Sequence, residues 1–195
     1  EQITGFVDLL KRYAVGDVIE PGIPQPTLTA QTLEKEIDTE HIPRVLARRG
    51  MWLDLGGGAR LDILWPDFDA STLTPDEANE GCIVAHLVYG AMSMIFMCDA
   101  PMDVENSLMA FGSTTELKSD ILKVGHHGSA GSTGSDFVSK VDPEVAIISL
   151  GKNNRYGFPK QVTLDTLASH NVQVLRTDQE GTIEFVSDGN SFVRK

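Results

Sequence analysis

The chain has 195 residues, 41% hydrophobic and 23% charged, and a formal net charge of −12 at pH 7. These numbers give one globular domain with enough apolar material for a buried core, and they exclude disorder as the default state. Its longest apolar runs fall far short of the ~20 residues that span a bilayer, so no membrane insertion by this chain is expected; the acidic balance excludes a uniformly basic nucleic-acid surface but leaves room for a local basic groove.

In chain order, Phe6, Leu9, Leu10 and Tyr13 recur at helical spacing, which predicts an amphipathic helix over residues 4–14. The opening Glu1-Gln2 has neither a signal-peptide pattern nor an initiating Met, so an upstream portion is expected to be missing. A short strand over 17–20 ends at Pro21-Gly22. Residues 29–46 read as helix in two pieces, because Pro43 interrupts the pattern. Two strands, 51–55 and 59–64, flank the turn Gly56-Gly57-Gly58, and a polar loop covers 66–80. The β-rich runs 82–89 and 92–98, separated by Gly90-Ala91, predict a tight hairpin. From there helix and strand alternate: helix 104–111, strand 121–124, helix 135–141, strand 145–150, helix 161–170 and strand 172–176. This alternation is the pattern of an α/β layered fold, closed by a hairpin of 182–186 and 191–194. No repeat or linker divides the chain, so residues 1–195 are read as one domain.

The two cysteines, Cys82 and Cys98, form no Cys-x-x-Cys pair, which excludes a disulfide framework and a zinc knuckle. A hairpin turning at Gly90-Ala91 sets Cys82 opposite position 99 and Cys98 opposite position 83, so the thiols are expected on opposite sides and unbonded.

Three segments carry chemistry. Asp99 ends a hydrophobic strand and is followed by Ala100-Pro101, which stops the strand and leaves a carboxylate at its tip. His126-His127-Gly128-Ser129 follows Leu122-Lys123-Val124-Gly125, again at a strand tip. Carboxylate oxygen and imidazole nitrogen on neighbouring strand ends are what zinc or manganese takes from protein. If extended, His126 and His127 point opposite ways, so one at most is a direct ligand. The third segment, 151–160, gathers Lys152, Arg155 and Lys160 beside Asn154 after a strand, a composition suited to holding phosphate. Against these stand plainer readings: Asp before Ala-Pro is a common turn former, and the cationic loop alone is more often a solvated one.

Taken together, the strings Leu122-Lys123-Val124-Gly125-His126-His127-Gly128-Ser129, Asn153-Asn154-Arg155-Tyr156-Gly157-Phe158-Pro159 and Leu175-Arg176-Thr177-Asp178 resemble the metallo-β-lactamase-fold domain of ComEC-type competence proteins. Asp99-Ala100-Pro101 is similar to that family's strand-end Thr-Gly-Asp segment, whose Asp bridges metal, and Asn79 to Val84 resembles its Asn-x-x-Ser entry with Cys82 in place of Ser. The resemblance implies an αββα sandwich, N-terminally incomplete and lacking its first strands, that hydrolyses phosphodiesters. It implies single-stranded DNA as substrate and a membrane channel domain in the same full-length protein as partner. The location it suggests is extracytoplasmic or attached to a membrane protein.

On this reading Asp99, His126 and His127 are the metal ligands, Asp99, His127 and Ser129 the catalytic residues, and Lys152, Asn154 and Arg155 hold the phosphate backbone. The cofactor is a divalent metal, zinc or manganese. Departures count as well. Glu1 and Gln2 stand where the family's main ligand motif ends in Asp and His, and Phe158 where it shows His in Tyr-Gly-His-Pro. An amide is a poor zinc ligand and a phenyl ring is none, so weak metal binding by this chain is expected. The alternative function is a metal-free binding or scaffolding domain. A triad of Ser129, His127 and Asp99 is disfavoured because Ser129 and His127 share one turn and no nucleophile elbow is present.

Overall fold

Alternating apolar positions over residues 59–65, 84–89 and 92–96 build the first half of the main sheet, and helical crossovers build the second. The computed structural model describes residues 4–111 and 114–195. It opens with α1 (Thr4–Leu10), β1 (Val18–Glu20), α2 (Leu28–Thr39) and β2 (Arg44–Leu46). An antiparallel meander follows, of β3 (Trp52–Gly56), β4 (Ala59–Trp65), β5 (Val84–Tyr89) and β6 (Met92–Phe96). Next come α3 (Met102–Phe111), α4 (Thr114–Leu117), β7 (Ile121–Lys123), α5 (Ser135–Val141), β8 (Val145–Ile148), α6 (Gln161–Ser169) and β9 (Gln173–Arg176). The chain closes with α7 (Thr177–Glu180) and the hairpin of β10 (Phe185–Ser187) and β11 (Phe192–Arg194).

Strands β3 to β9 lie side by side in sequence order in one seven-stranded sheet, with β6 to β9 mutually parallel. Crossovers between parallel strands are right-handed, so three successive steps in one direction put their helices on one face. There Ile95, Leu122 and Ala146 align across the sheet and are fully buried with Val104, Leu108, Phe137, Val138 and Leu167. The opposite face presents Ile121, Val145 and Leu175, covered by Phe185 and Phe192 of the closing hairpin. Farther along the same face Ile63 and Ala85 pack under Ala47 and Ile19, next to the β1–β2 pair. The α/β class expected from the alternation holds, with a large mixed sheet between a helical layer and a second face covered by short strand pairs.

Two local readings change. The segment after Pro43 is strand β2, parallel to β1, and not a second helical piece. Proline forces the residue before it towards extended backbone, and the Pro43 carbonyl then accepts from Val18 N at 2.9 Å, which starts the pairing. Arg44 fastens it through Glu34 at 2.7 Å, Asp38 at 3.2 Å and Glu20 at 3.4 Å. The second change is that α1 stops at Leu10. Among the described residues no helix is long and apolar enough to cross a membrane. Residues 1–3, which include Gln2 at its supposed ligand position, lie outside the described residues.

Candidate active site at the strand ends

The centre of the sheet ends in two tight turns that grip each other. After β6, Met97 is buried and Cys98 turns left-handed with φ 51°, which swings Asp99 out before α3 begins. After β7, Gly125–Gly128 form a kinked turn in which His126 and His127 leave helical backbone, with φ 45° and 55°. His126 N donates to Cys98 O at 2.9 Å, so the two turns are fixed together. Left-handed backbone at three non-glycine residues costs energy that the surrounding hydrogen bonds must offset, and such spots are where sites are built. The histidines are therefore not extended, and the expectation that they point opposite ways from a strand does not apply.

His127 Nε2 lies 3.5 Å from Asp99 Oδ1. Its other nitrogen, Nδ1, lies 2.6 Å from the Ser149 carbonyl oxygen just past β8. A carbonyl only accepts, so the network assigns the proton to Nδ1. In that tautomer the Nε2 lone pair faces a carboxylate oxygen. A ring nitrogen oriented by a backbone carbonyl beside a carboxylate is also the donor arrangement of metal-binding histidines. Two donors thus fit a divalent metal. Among the described residues, however, no three His, Cys, Asp or Glu stand close enough to hold one. His126 packs its ring edge-on against Phe158, with centroids 5.8 Å apart.

Asp99 stands between two cavities. One, of about 360 Å³, is lined by Asp99, His127, Lys123, Phe96 and Ser149; the other, of about 350 Å³, by Asp99, Cys82, Asn79, Ile23 and Phe6. The Lys123 ammonium donates to the Val124 carbonyl at 3.2 Å, and burial pushes its pKa down against the opposing pull of Asp99 and Cys98. Its position opposite Phe96 in the β6–β7 register places it on that face.

The basic loop lies beside the histidine turn. Lys160 N donates to Gly128 O at 2.8 Å, and the Thr163 hydroxyl donates to the Gly128 and Ser129 carbonyls at 3.2 and 3.0 Å. The Asn154 amide accepts from Phe158 N at 2.8 Å and donates to Phe158 O at 2.9 Å, bracing the loop. Arg155 crosses the Tyr156 ring at 5.0 Å and donates to its hydroxyl at 2.9 Å, while Lys152 is exposed. Arg176 is held by both carboxylate oxygens of Asp178, at 3.0 and 2.6 Å, which removes it from any free basic patch. The Ser129 hydroxyl accepts from Gly131 N at 3.2 Å, a turn bond.

The cysteines are free, but they are not apart. Cys98 leaves the strand path in its left-handed turn and lines the same cavity as Cys82, whose sulfur lies 3.8 Å from the carbonyl oxygen of Met97, the residue before Cys98. The neighbouring Cys98 thiol, together with burial, pushes the Cys82 pKa up. The extended-hairpin expectation failed because β6 ends at Phe96, two residues before Cys98.

No family model matches the chain. It is 45% identical over 111 residues to ComE operon protein 3 of Bacillus subtilis, an alignment covering 57% of this chain and 14% of that protein. To Recombination protein 2 of Haemophilus influenzae it is 41% identical over 126 residues, covering 65% and 15%. To Competence protein ComA of Neisseria gonorrhoeae it is 30% identical over 128 residues, covering 62% and 18%. The resemblance to the domain carried by ComEC-type competence proteins therefore holds, and the aligned part spans less than a fifth of each relative's length.

Proposed function

We propose that this domain is a divalent-metal-dependent phosphodiester hydrolase acting on single-stranded DNA during competence-type uptake. The observation that carries the reading is the approach of His127 Nε2 to Asp99 Oδ1 at 3.5 Å, with Nδ1 already anchored on Ser149 O. Asp99 and His127 would hold the metal, zinc or manganese. When bound, such an ion supplies a water ionised near neutral pH and polarises a phosphoryl oxygen. His127 is kept in one tautomer by the Ser149 carbonyl, and Asp99 is kept at the cavity mouth by the Cys98 turn. Lys152 and Arg155 carry the positive charge that would hold the substrate backbone through charge-assisted hydrogen bonds. The competence names of the relatives support the choice of DNA, and a channel domain in the same full-length protein fits an uptake role.

A second reading, a metal-free binding domain on the same fold, has one observation in its favour: among the described residues no third donor joins Asp99 and His127. Two donors leave an ion mostly hydrated and weakly held. Cleavage of single-stranded DNA titrated with Mn²⁺ or Zn²⁺ separates the two. The hydrolase reading expects cleavage that rises with metal, stops with chelator and is lost in Asp99→Asn and His127→Gln. DNA that is bound but uncut at every metal concentration overturns it in favour of the binding domain.

A further inference from the structure

The thiols of Cys82 and Cys98 play no part in the hydrolase reading, yet the fold sets both residues on one cavity beside Asp99. We propose that they are a redox-active dithiol, a modification site that closes to a Cys82–Cys98 disulfide by exchange with a low-molecular-weight disulfide. Three observations carry it. Cys82 stands just before β5 and Cys98 just after β6, so the hairpin sets the two residues near each other at its open end, where both line one cavity. Cys98 has left-handed backbone with φ 51°, so the strand register that would have separated the two side chains does not extend to it. Access is asymmetric: Cys98 is exposed and lines both cavities, whereas Cys82 is 8% exposed and also has the Met97 carbonyl 3.8 Å from its sulfur.

That asymmetry fixes the order of events. Cys98 sulfur attacks one sulfur of the disulfide R–S–S–R, forming Cys98–S–S–R and expelling one thiolate, which takes the Cys98 proton. Cys82 sulfur then attacks the Cys98 sulfur, the S–S bond of the mixed disulfide breaks, and the departing R–S thiolate takes the Cys82 proton. Two protein thiols are oxidised and one small disulfide is reduced to two thiols. The new bond ties the entry of β5 to the residue before Asp99, so it bolts the turn that presents this carboxylate to the cavities.

The test is incubation of the folded protein with oxidised glutathione, followed by alkylation, intact mass and peptide mapping. Free thiols are expected to fall from two to none, with a mass loss of two hydrogens and one peptide crosslinking Cys82 to Cys98. In Cys82→Ser the reaction should stop at glutathione on Cys98, and in Cys98→Ser the buried Cys82 should stay unmodified. Retention of both thiols, or a stable glutathione adduct on Cys98 without the internal bond, overturns the proposal. None of these readouts depends on metal or DNA cleavage, so this inference and the hydrolase reading fail separately.

Discussion

Gly128, in the centre of the His-His-Gly-Ser turn, is held to glycine by space as well as by backbone angle, and Gly128→Ala measures both. Its φ is +81°, where an L side chain is strained, and an added Cβ would stand 2.6 Å from Pro159 Cβ and 3.2 Å from Pro159 Cα. The left-handed conformation costs an alanine about 1–2 kcal/mol. Forcing a methyl group against a proline ring adds roughly 1–3 kcal/mol of overpacking, because neither partner has a rotamer that moves it aside. The total, about 2–5 kcal/mol, is a large share of a typical domain stability of ~5–15 kcal/mol. In urea, with a slope of roughly 2 kcal/mol per M, the unfolding midpoint should fall by about 1–2.5 M with the slope unchanged. Gly131→Ala is the control, since its Cβ would meet nothing nearer than the Ser129 hydroxyl at 3.8 Å and no positive φ is involved. Equal midpoints for the two variants would refute the steric account of the motif's glycine.

Two further outcomes follow from buried or turn-bound polar groups. His86 is 6% exposed and its Nε2 has no partner among the described residues; burial holds its pKa down against the opposing influence of Asp62, Glu116 and Asp120 and a hydrogen bond with the Lys118 backbone. The unfolded chain therefore binds a proton that the folded one refuses, so this contribution to stability is present above the ordinary value of 6.5 and lost as pH falls below it. Thermal melts of His86→Leu should show a shallower loss between neutral and mildly acidic pH than the parent, and an identical slope would refute the assignment. Ser129→Ala should cost about 0.5–1 kcal/mol, the worth of its bond to Gly131 N, and should change metal-dependent DNA cleavage by no more than a few-fold. Cleavage falling to background in that variant would put the hydroxyl in the chemistry.

Much of the architecture was legible in sequence because it follows from local rules. Period-2 runs gave β4, β5 and β6, and apolar strands separated by short helical stretches gave the parallel half of the sheet. The neighbourhood of Asp99 and His127 was legible for the same reason: each follows a strand, and sequential strands in such a fold are neighbours. Where the reading failed, the cause was long-range. Residues after Pro43 look helical in isolation, but Arg44 is claimed by Glu20 of β1 and by Glu34 and Asp38 of α2.

The site's finer geometry was decided by tertiary structure alone. Nothing in the order of residues says that Cys98, His126 and His127 adopt left-handed backbone, because no L residue prefers it; the bond from His126 N to Cys98 O and the packing of Gly128 on Pro159 impose it. That conformation brings His127 rather than a strand-directed side chain onto Asp99 and takes Cys98 off the strand register that would have set it apart from Cys82. The sequence by itself determined which residue types stand at the strand ends, since periodicity and chain stops are local. Only the folded chain decided which way each one faces, because facing is set by hydrogen bonds between turns that lie far apart in sequence.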